Sequence, residues 1–463
     1  MKTIRTLVVS AAAAALLTGC VTSNELAGVE WVGKSGAKLP YSVLRDDIVD
    51  VKTKEPFEIR NGGYGSDMVA HPSEKNQFYA LTDRGPNATF KGELGKGKKF
   101  PTPDYTPRIG LFELRADGSI ELVKEILLKR PDGTLITGLP NSSALGGTGE
   151  TPYDAEGKVI TVDMSKPYEA KNNPINLDDF GLDGEGLVAL SDGTFWVSDE
   201  YGPHMVHFNK NGVEIERINA FKNDSRVKYH LPTEYANRRA NRGMEGLAVT
   251  LDEKTLVGVM QSTMFHPDKS VKNLDITRIV TVDPKTGRVG QFLYKQNKAQ
   301  NSNSGLVAVG KNKFYIIERD GAFLNGGPKK ANPDAQKHVY EIDLTTGTNL
   351  EMIKPSDALK QDEELGLTIE GKTLEQVVLE GSWDALAKYG IKPVEKKLVV
   401  DMVEAVEYPH DKMEGLWVIN EKTLGVINDD DFATWATKGA LHAKTLGNSE
   451  VDSNTLYIVN IGE

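Results

Sequence analysis

One cysteine, Cys20, occurs in 463 residues, so no internal disulfide can form. There is no H-E-x-x-H pair and no clustered Cys/His spacing, which argues against a zinc site. A G-x-S-x-G elbow, a P-loop and a G-x-G-x-x-G between strand and helix are all missing. Gly63-Tyr64-Gly65 and Gly146-Gly147-Thr148-Gly149 are loops with no amphipathic helix after them, so neither reads as a phosphate cradle. Beyond residue 17 no apolar run is long enough to span a bilayer as a helix. Positive charge is in deficit, with 55 Lys and Arg against 66 Asp and Glu and no basic cluster. A net charge of −11 makes nucleic acid a poor partner and cations good ones.

The N-terminus has a short basic head (Lys2, Arg5) and an apolar run from Leu7 to Leu17. This is the pattern of a secretory signal peptide, too short to cross a membrane as a helix. The L-T-G-C ending at Cys20 resembles the bacterial lipobox. That resemblance implies removal of residues 1–19, lipidation of Cys20 and, with Val21 rather than Asp next, sorting to the outer membrane of the cell envelope, facing periplasm or surface. The lipid would be the only membrane contact. Loss of Lys2 and Arg5 takes the formal charge from −11 to −13 over 444 mature residues. Residues 20–38 read as a tether and 39–463 as one domain, expected to be monomeric.

That domain is built on a repeat. Residues 183–204 read DGEGLVALSDGTFWVSDEYGPH: two apolar runs around a Ser191-Asp192-Gly193 turn, hence an antiparallel hairpin. With the turn centred on Asp192, Glu185 is expected to face Asp199 at the end away from the turn. Related units start at Asp67, Glu245, Ser304 and Glu414, and their second strands end near Asp83, Gln261, Glu318 and Asn428. Several are followed by a second hairpin, such as 108–127, 205–218 and 278–294, which gives four strands per unit. Spacings of 59 and 60 residues, with wider gaps near twice that, predict an all-β propeller. Six blades are expected, with five or seven as alternatives. Residues 373–389 show helical apolar spacing and are expected to be a small insertion. A strand from 39–61 is expected to close the last blade, and Trp196 and Trp417 to lie in the core.

First strands of propeller blades run in one direction around the axis, so their starting ends meet at one opening. This gathers Asp67, Asp183, Glu185, Glu245, Ser304 and Glu414. The ends of the second strands add Asp83, Asp199, Glu200, Glu318, Asp320, Asp429, Asp430 and Asp431. Repeated like charge opposes folding unless a cation lies between. Calcium, which takes six to eight oxygen ligands, suits such a rim. The expected metal ligands are Asp83, Asp183, Glu185, Asp199, Glu245, Glu318, Glu414, Asp429 and Asp430. Arg84, Arg242 and Arg319 share the rim and match phosphate oxygens. Glu200 and His204 are candidate acid or base groups, and His410 lies beside a repeat end.

D-G-E-G-L at 183–187, S-D-E-Y-G-P at 198–203, N-R-G-M-E-G-L-A at 241–248, E-R-D at 318–320, N-D-D-D-F at 428–432 and T-D-R-G-P-N at 82–87 resemble the bacterial "esterase-like activity of phytase" family. The resemblance covers roughly 60–460 and implies a secreted or envelope propeller with phosphoesterase activity on a small-molecule phosphoester. Ser304 and Gln261 depart from the acidic repeat. Two alternatives stay open: a calcium propeller that opens lactones or carboxylic esters, and a lipid-anchored binding module without catalysis.

Overall fold

The structure is a computed structural model that describes residues 26–462. Five four-stranded antiparallel sheets carry the fold. The first comprises Asp67–Ala70, Gln77–Leu81, Arg108–Leu114 and Ile120–Leu127. The second is Gly184–Ala189, Phe195–Asp199, His204–Phe208 and Glu214–Asn219. The third is Met244–Val249, Leu256–Met260, Ile276–Val282 and Val289–Lys295. The fourth is Ser302–Ala308, Lys313–Arg319, Lys337–Asp343 and Glu395–Asp401. The fifth is Gly415–Asn420, Thr423–Ile427, Thr455–Asn460 and Ala37–Lys38.

The apolar runs explain how these sheets assemble. Each blade is covered on both faces by its neighbours, so its inner strands are apolar on both sides rather than alternating. Five clusters fill the joints. Leu81 and Ile109 meet Leu187 and Val206; Trp196 and Met205 meet Met244 and Leu247; Val257 and Val259 meet Leu306 and Ile316; Ile317 and Val339 meet Leu416 and Val426; Trp417 and Ile427 meet Met68 and Phe78. The last joint brings the fifth blade onto the first and closes the ring. Trp196 and Trp417 are buried there, as expected.

Five blades form, one fewer than the six expected and one of the two alternatives. The wide gaps hold insertions rather than a sixth blade. One insertion carries a hairpin, Ala88–Gly92 with Gly95–Lys99, extended by Thr151–Tyr153. The other includes the expected helix, Leu374–Ala387, which Thr373 opens with a capping box. Glu375 of this helix pairs with Arg278 of the third blade at 2.8 Å, anchoring the insertion to the ring.

Ring closure differs from expectation. Ala37 and Lys38 pair with Leu456 and Thr455, so the closing strand lies in the segment read as tether. Residues 42–61 form a separate two-stranded sheet instead. The signal peptide and Cys20 lie outside the described residues.

The glycine of each E-G-L or S-G-L motif sits where two inner strands touch. A Cβ on Gly186 would lie 2.7 Å from the backbone nitrogen of Leu247; on Gly246, 2.5 Å from the carbonyl oxygen of Ser304; on Gly305, 2.1 Å from that of Glu414; on Gly415, 2.5 Å from the nitrogen of Met68. A side chain there would push the blades apart, so the glycine sets the tightness of the ring.

Candidate active site

The register of the central hairpin follows the expected pairing from Gly186↔Ser198 to Ala189↔Phe195, then slips. Gly184, not Glu185, lies opposite Asp199, because a β-bulge falls between Gly184 and Gly186. The same bulge recurs between Met244 and Gly246, and one falls between Asn303 and Leu306. A bulge adds one residue to a strand and re-aims its side chain. Glu185 and Glu245 occupy those bulges, and both line an axial cavity of ≈ 380 Å³.

Asp83, Asp183, Glu185, Glu200, Glu245 and Glu414 line this cavity together with Arg84, Arg242 and Arg319. Asp83, Asp183 and Glu185 each bring one carboxylate oxygen within 4.8 Å of the others, a spacing that could hold a metal ion. All three are buried, and both oxygens of Asp183 lack a hydrogen-bond donor. No hydrogen bond or ion pair reaches the Glu185 carboxylate among the described residues. Burial pushes the Glu185 carboxyl well above its usual range, and Glu245, Glu414 and Asp183 push the same way. Asp183 is pushed up to about 7 by burial, against the pull of Arg84.

The remaining acids are compensated from within. Arg319 Nη2 lies 3.3 Å from Glu245 Oε1 and also contacts Glu414. Gln261 Nε2 donates to Glu200 Oε1 at 2.9 Å and to Glu245. Ser304 and Gln261, where the acidic repeat lapses, thus donate to the acids instead; Ser304 Oγ lies 3.4 Å from Glu245. Arg84 is held by Asn241 at 2.6 Å, Glu150 at 3.3 Å and Asp183 at 3.3 Å. Arg242 is different: it makes no side-chain hydrogen bond or ion pair among the described residues, and its buried Nη1 has no acceptor.

Four expected ligands point elsewhere. Asp199 accepts from the backbone of Gly202 and His204 and so shapes its own loop. Glu318 is adjacent to Arg319 on a strand, and alternation turns it to the opposite side. It accepts from Tyr294, Asn297 and Asn301 and pairs with Lys396. Asp430 caps a turn, accepting from Gly63 and Phe432. Asp429 pairs with Lys412. Asp67, deeper in the ring, takes the backbone N–H of Leu187 at 2.7 Å, and Asp320 pairs with Lys337 at 2.6 Å.

The histidines also lie away from the cavity. His204 is buried between Asn141 and Asn219 in the second blade, where burial drives its pKa well down. His410 is enclosed by Asp452 at 2.7 Å and Tyr457 at 2.8 Å. Neither can serve a reaction in the cavity. Sequence reading missed Lys98, Lys412, Lys329 and Trp435, all of which line it. Lys412 stands two residues before the Glu414 motif, so the repeat itself pointed to its neighbourhood.

A protein of Arthroderma benhamiae described as an uncharacterized secreted protein is 32% identical over 244 residues, 44% of this chain and 45% of that protein. The chain therefore matches less than half the length of that relative. Among solved structures, the periplasmic gluconolactonase of Pseudomonas aeruginosa is 11% identical, with 87% of this chain and 89% of that one covered, at a TM-score of 0.31. The aldose sugar dehydrogenase of Streptomyces coelicolor is 10% identical, with 84% and 100% covered, at a TM-score of 0.28. Likenesses at that level do not bear on activity. The family described as phytase-like, esterase-like activity of phytase, matches residues 59–432. That span runs from the strand before the first blade to the loop that carries the last acids of the fifth, and the chain belongs to this family.

Proposed function

We propose that the protein is a divalent-cation-dependent phosphoester hydrolase of the cell envelope, with calcium as its cation and Cys20 as its lipid anchor. The secreted description of the fungal relative agrees with a location outside the cytoplasm. The observation that carries the reading is the contrast within one cavity. Among the described residues, Asp183 and Glu185 have no hydrogen-bond donors to their carboxylates, whereas Arg242 has no acceptor for its guanidinium.

The donor set fits a hard cation. Asp83, Asp183 and Glu185 offer only oxygen, which suits calcium. When bound there, the cation would supply positive charge against the phosphoryl oxygens and a more acidic water. Arg242 offers two parallel N–H groups to two oxygens of a phosphate, a geometry an ammonium cannot match. Arg84 is fixed in orientation by Asn241 and Glu150 and adds charge beside Asp183. Glu200 is held through Oε1 by Gln261, leaving Oε2 to take a proton from water or return it to the leaving oxygen. An uncharged lactone would leave the buried Nη1 of the half-buried Arg242 without an acceptor, so the phosphoester reading is preferred.

The test is metal analysis of the purified protein together with hydrolysis of a phosphomonoester, a phosphodiester and a lactone, each with and without chelator. Bound calcium and chelator-sensitive phosphoester turnover are expected. Lactone turnover alone, or no calcium and no turnover, overturns the proposal.

A further inference from the structure

The two sides of the cavity handle their negative charge differently. On one side Asp83, Asp183 and Glu185 share one ion pair, Arg84 with Asp183. On the other, Asp411 and Asp431 in the cavity wall, with Asp429 and Asp452 buried behind it, meet two lysines. Lys444 is fully buried and reaches Asp431 at 2.7 Å, Asp411 at 2.9 Å and Asp452 at 3.3 Å. Lys412 contacts Asp429 and lies 2.8 Å from Asp431. The two oxygens of Asp431 are thus divided between two ammonium groups.

The lysines are not equivalent. An ammonium has three N–H donors. Lys444 donates to Asp431 Oδ2 and to the backbone carbonyl of Asp429, has Asp411 and Asp452 within ion-pair range, and its side chain has no exposed surface. Lys412 engages two carboxylates, its side chain keeps 27% of its surface, and it lines the cavity. A lysine serving stability alone would resemble Lys444. Lys412 is held by two carboxylates with one donor left over, and only the cavity is open to it.

We propose that Lys412 is a built-in second cation of the site: it occupies the Asp429–Asp431 side, limits the protein to one bound metal ion, and gives its third N–H to an oxygen of the substrate phosphate. This deepens the phosphoester reading and rests on it. In two-metal hydrolases a second ion neutralises the far oxygens of the phosphoryl group. Here an ammonium fixed in the chain performs that neutralisation.

The experiment is calorimetric titration of the folded protein with calcium alone, then with inorganic phosphate in the presence of calcium. Wild type, Lys412→Gln and Lys412→Arg are compared. Wild type is expected to bind one calcium ion per chain. K412Q is expected to bind a second, because Asp429 loses its ammonium and Asp431 one of its two, and to bind phosphate at least about tenfold more weakly, the loss of one charge-assisted hydrogen bond. K412R is expected to keep one ion and to bind phosphate within about threefold of wild type, since the charge and a donor remain. Two calcium ions on wild type overturn the inference even if K412Q does not fold. So does a folded K412Q that matches wild type in both titrations. A wild-type protein that binds neither calcium nor phosphate removes the phosphoester reading as well, whereas one that binds both with no dependence on residue 412 removes this inference alone.

Discussion

Arg84 Nε stands 3.3 Å from Asp183 Oδ2, yet the contact does not satisfy either group: both atoms are buried without a hydrogen-bond partner. The arginine attracts the carboxylate without capping its oxygens, so both remain available to a cation. In the metal-free protein this is an expensive arrangement, since a buried charge without donors costs free energy. Replacing Asp183 with Asn should therefore leave metal-free stability unchanged or raise it by about 1 kcal/mol, while abolishing the stabilisation that calcium confers. Differential scanning calorimetry in chelator and in calcium checks both halves. Equal calcium stabilisation of the variant and wild type would remove Asp183 from the ligand set.

Arg242 and Arg319 should part company on substitution. Arg242→Ala removes a side chain that pairs with nothing among the described residues, so thermal stability should change by less than about 1 kcal/mol. Phosphoester turnover should fall by about 100-fold, the scale of losing a preorganised charge contact. Arg319→Ala strips Glu245 and Glu414 of their shared cation and should destabilise by about 3–5 kcal/mol. Kinetics and denaturant unfolding on the two variants separate these roles; an unfolded R242A would show that its guanidinium is structural.

Stability of the metal-free protein should rise on acidification. Burial lifts Asp183 to about 7 despite Arg84, and lifts Glu414 to about 7 despite Lys412 and Arg319. The unfolded values lie near 4. Between these limits the folded state binds more protons, so unfolding free energy falls as pH rises through the window. The gain from pH 8 down to pH 5 should be about 1–3 kcal/mol, and saturating calcium should flatten the dependence. Urea unfolding at four or five pH values, with and without calcium, measures it; a metal-free protein that weakens steadily below pH 7 contradicts the assignment.

Gly186→Ala should loosen the ring rather than the hairpin. The added methyl group would sit 2.4 Å from Ser198 Oγ and 2.7 Å from the backbone of Leu247 in the next blade. Overpacking of this kind costs about 1–3 kcal/mol, and more where backbone must move. Gly193→Ala, at a turn where φ is 84°, has open space around it and should cost only about 1 kcal/mol of backbone strain. Comparing the two in urea isolates the interblade term.

The repeat, the helical insertion and the meeting of acids at the axis were legible because they follow from side-chain period and strand direction. The bulge at Glu185 was not, since one extra residue in a strand leaves no mark on composition. Glu318 and Asp199 were misassigned for a related reason: position at a strand end fixes depth along the axis, not the side on which a residue emerges. Arg319 enters the cavity and Glu318 leaves it because adjacent residues alternate. The closing strand, Ala37–Lys38, is two residues long and carries no pattern of its own. Lys412 escaped notice because a lysine beside an acidic motif looks like a solvated partner until its two neighbours are seen in space.

The sharing of one sheet by Ala37–Lys38 and Thr455–Asn460 sets an order of events. As the chain is made, four blades can each form their own hairpins, but the fifth lacks its third strand until Thr455–Asn460 has been added. A nascent chain therefore has no sealed circle and no finished cavity. The acids at its centre gather only once that strand is in place, in whatever ionic surroundings the chain then meets.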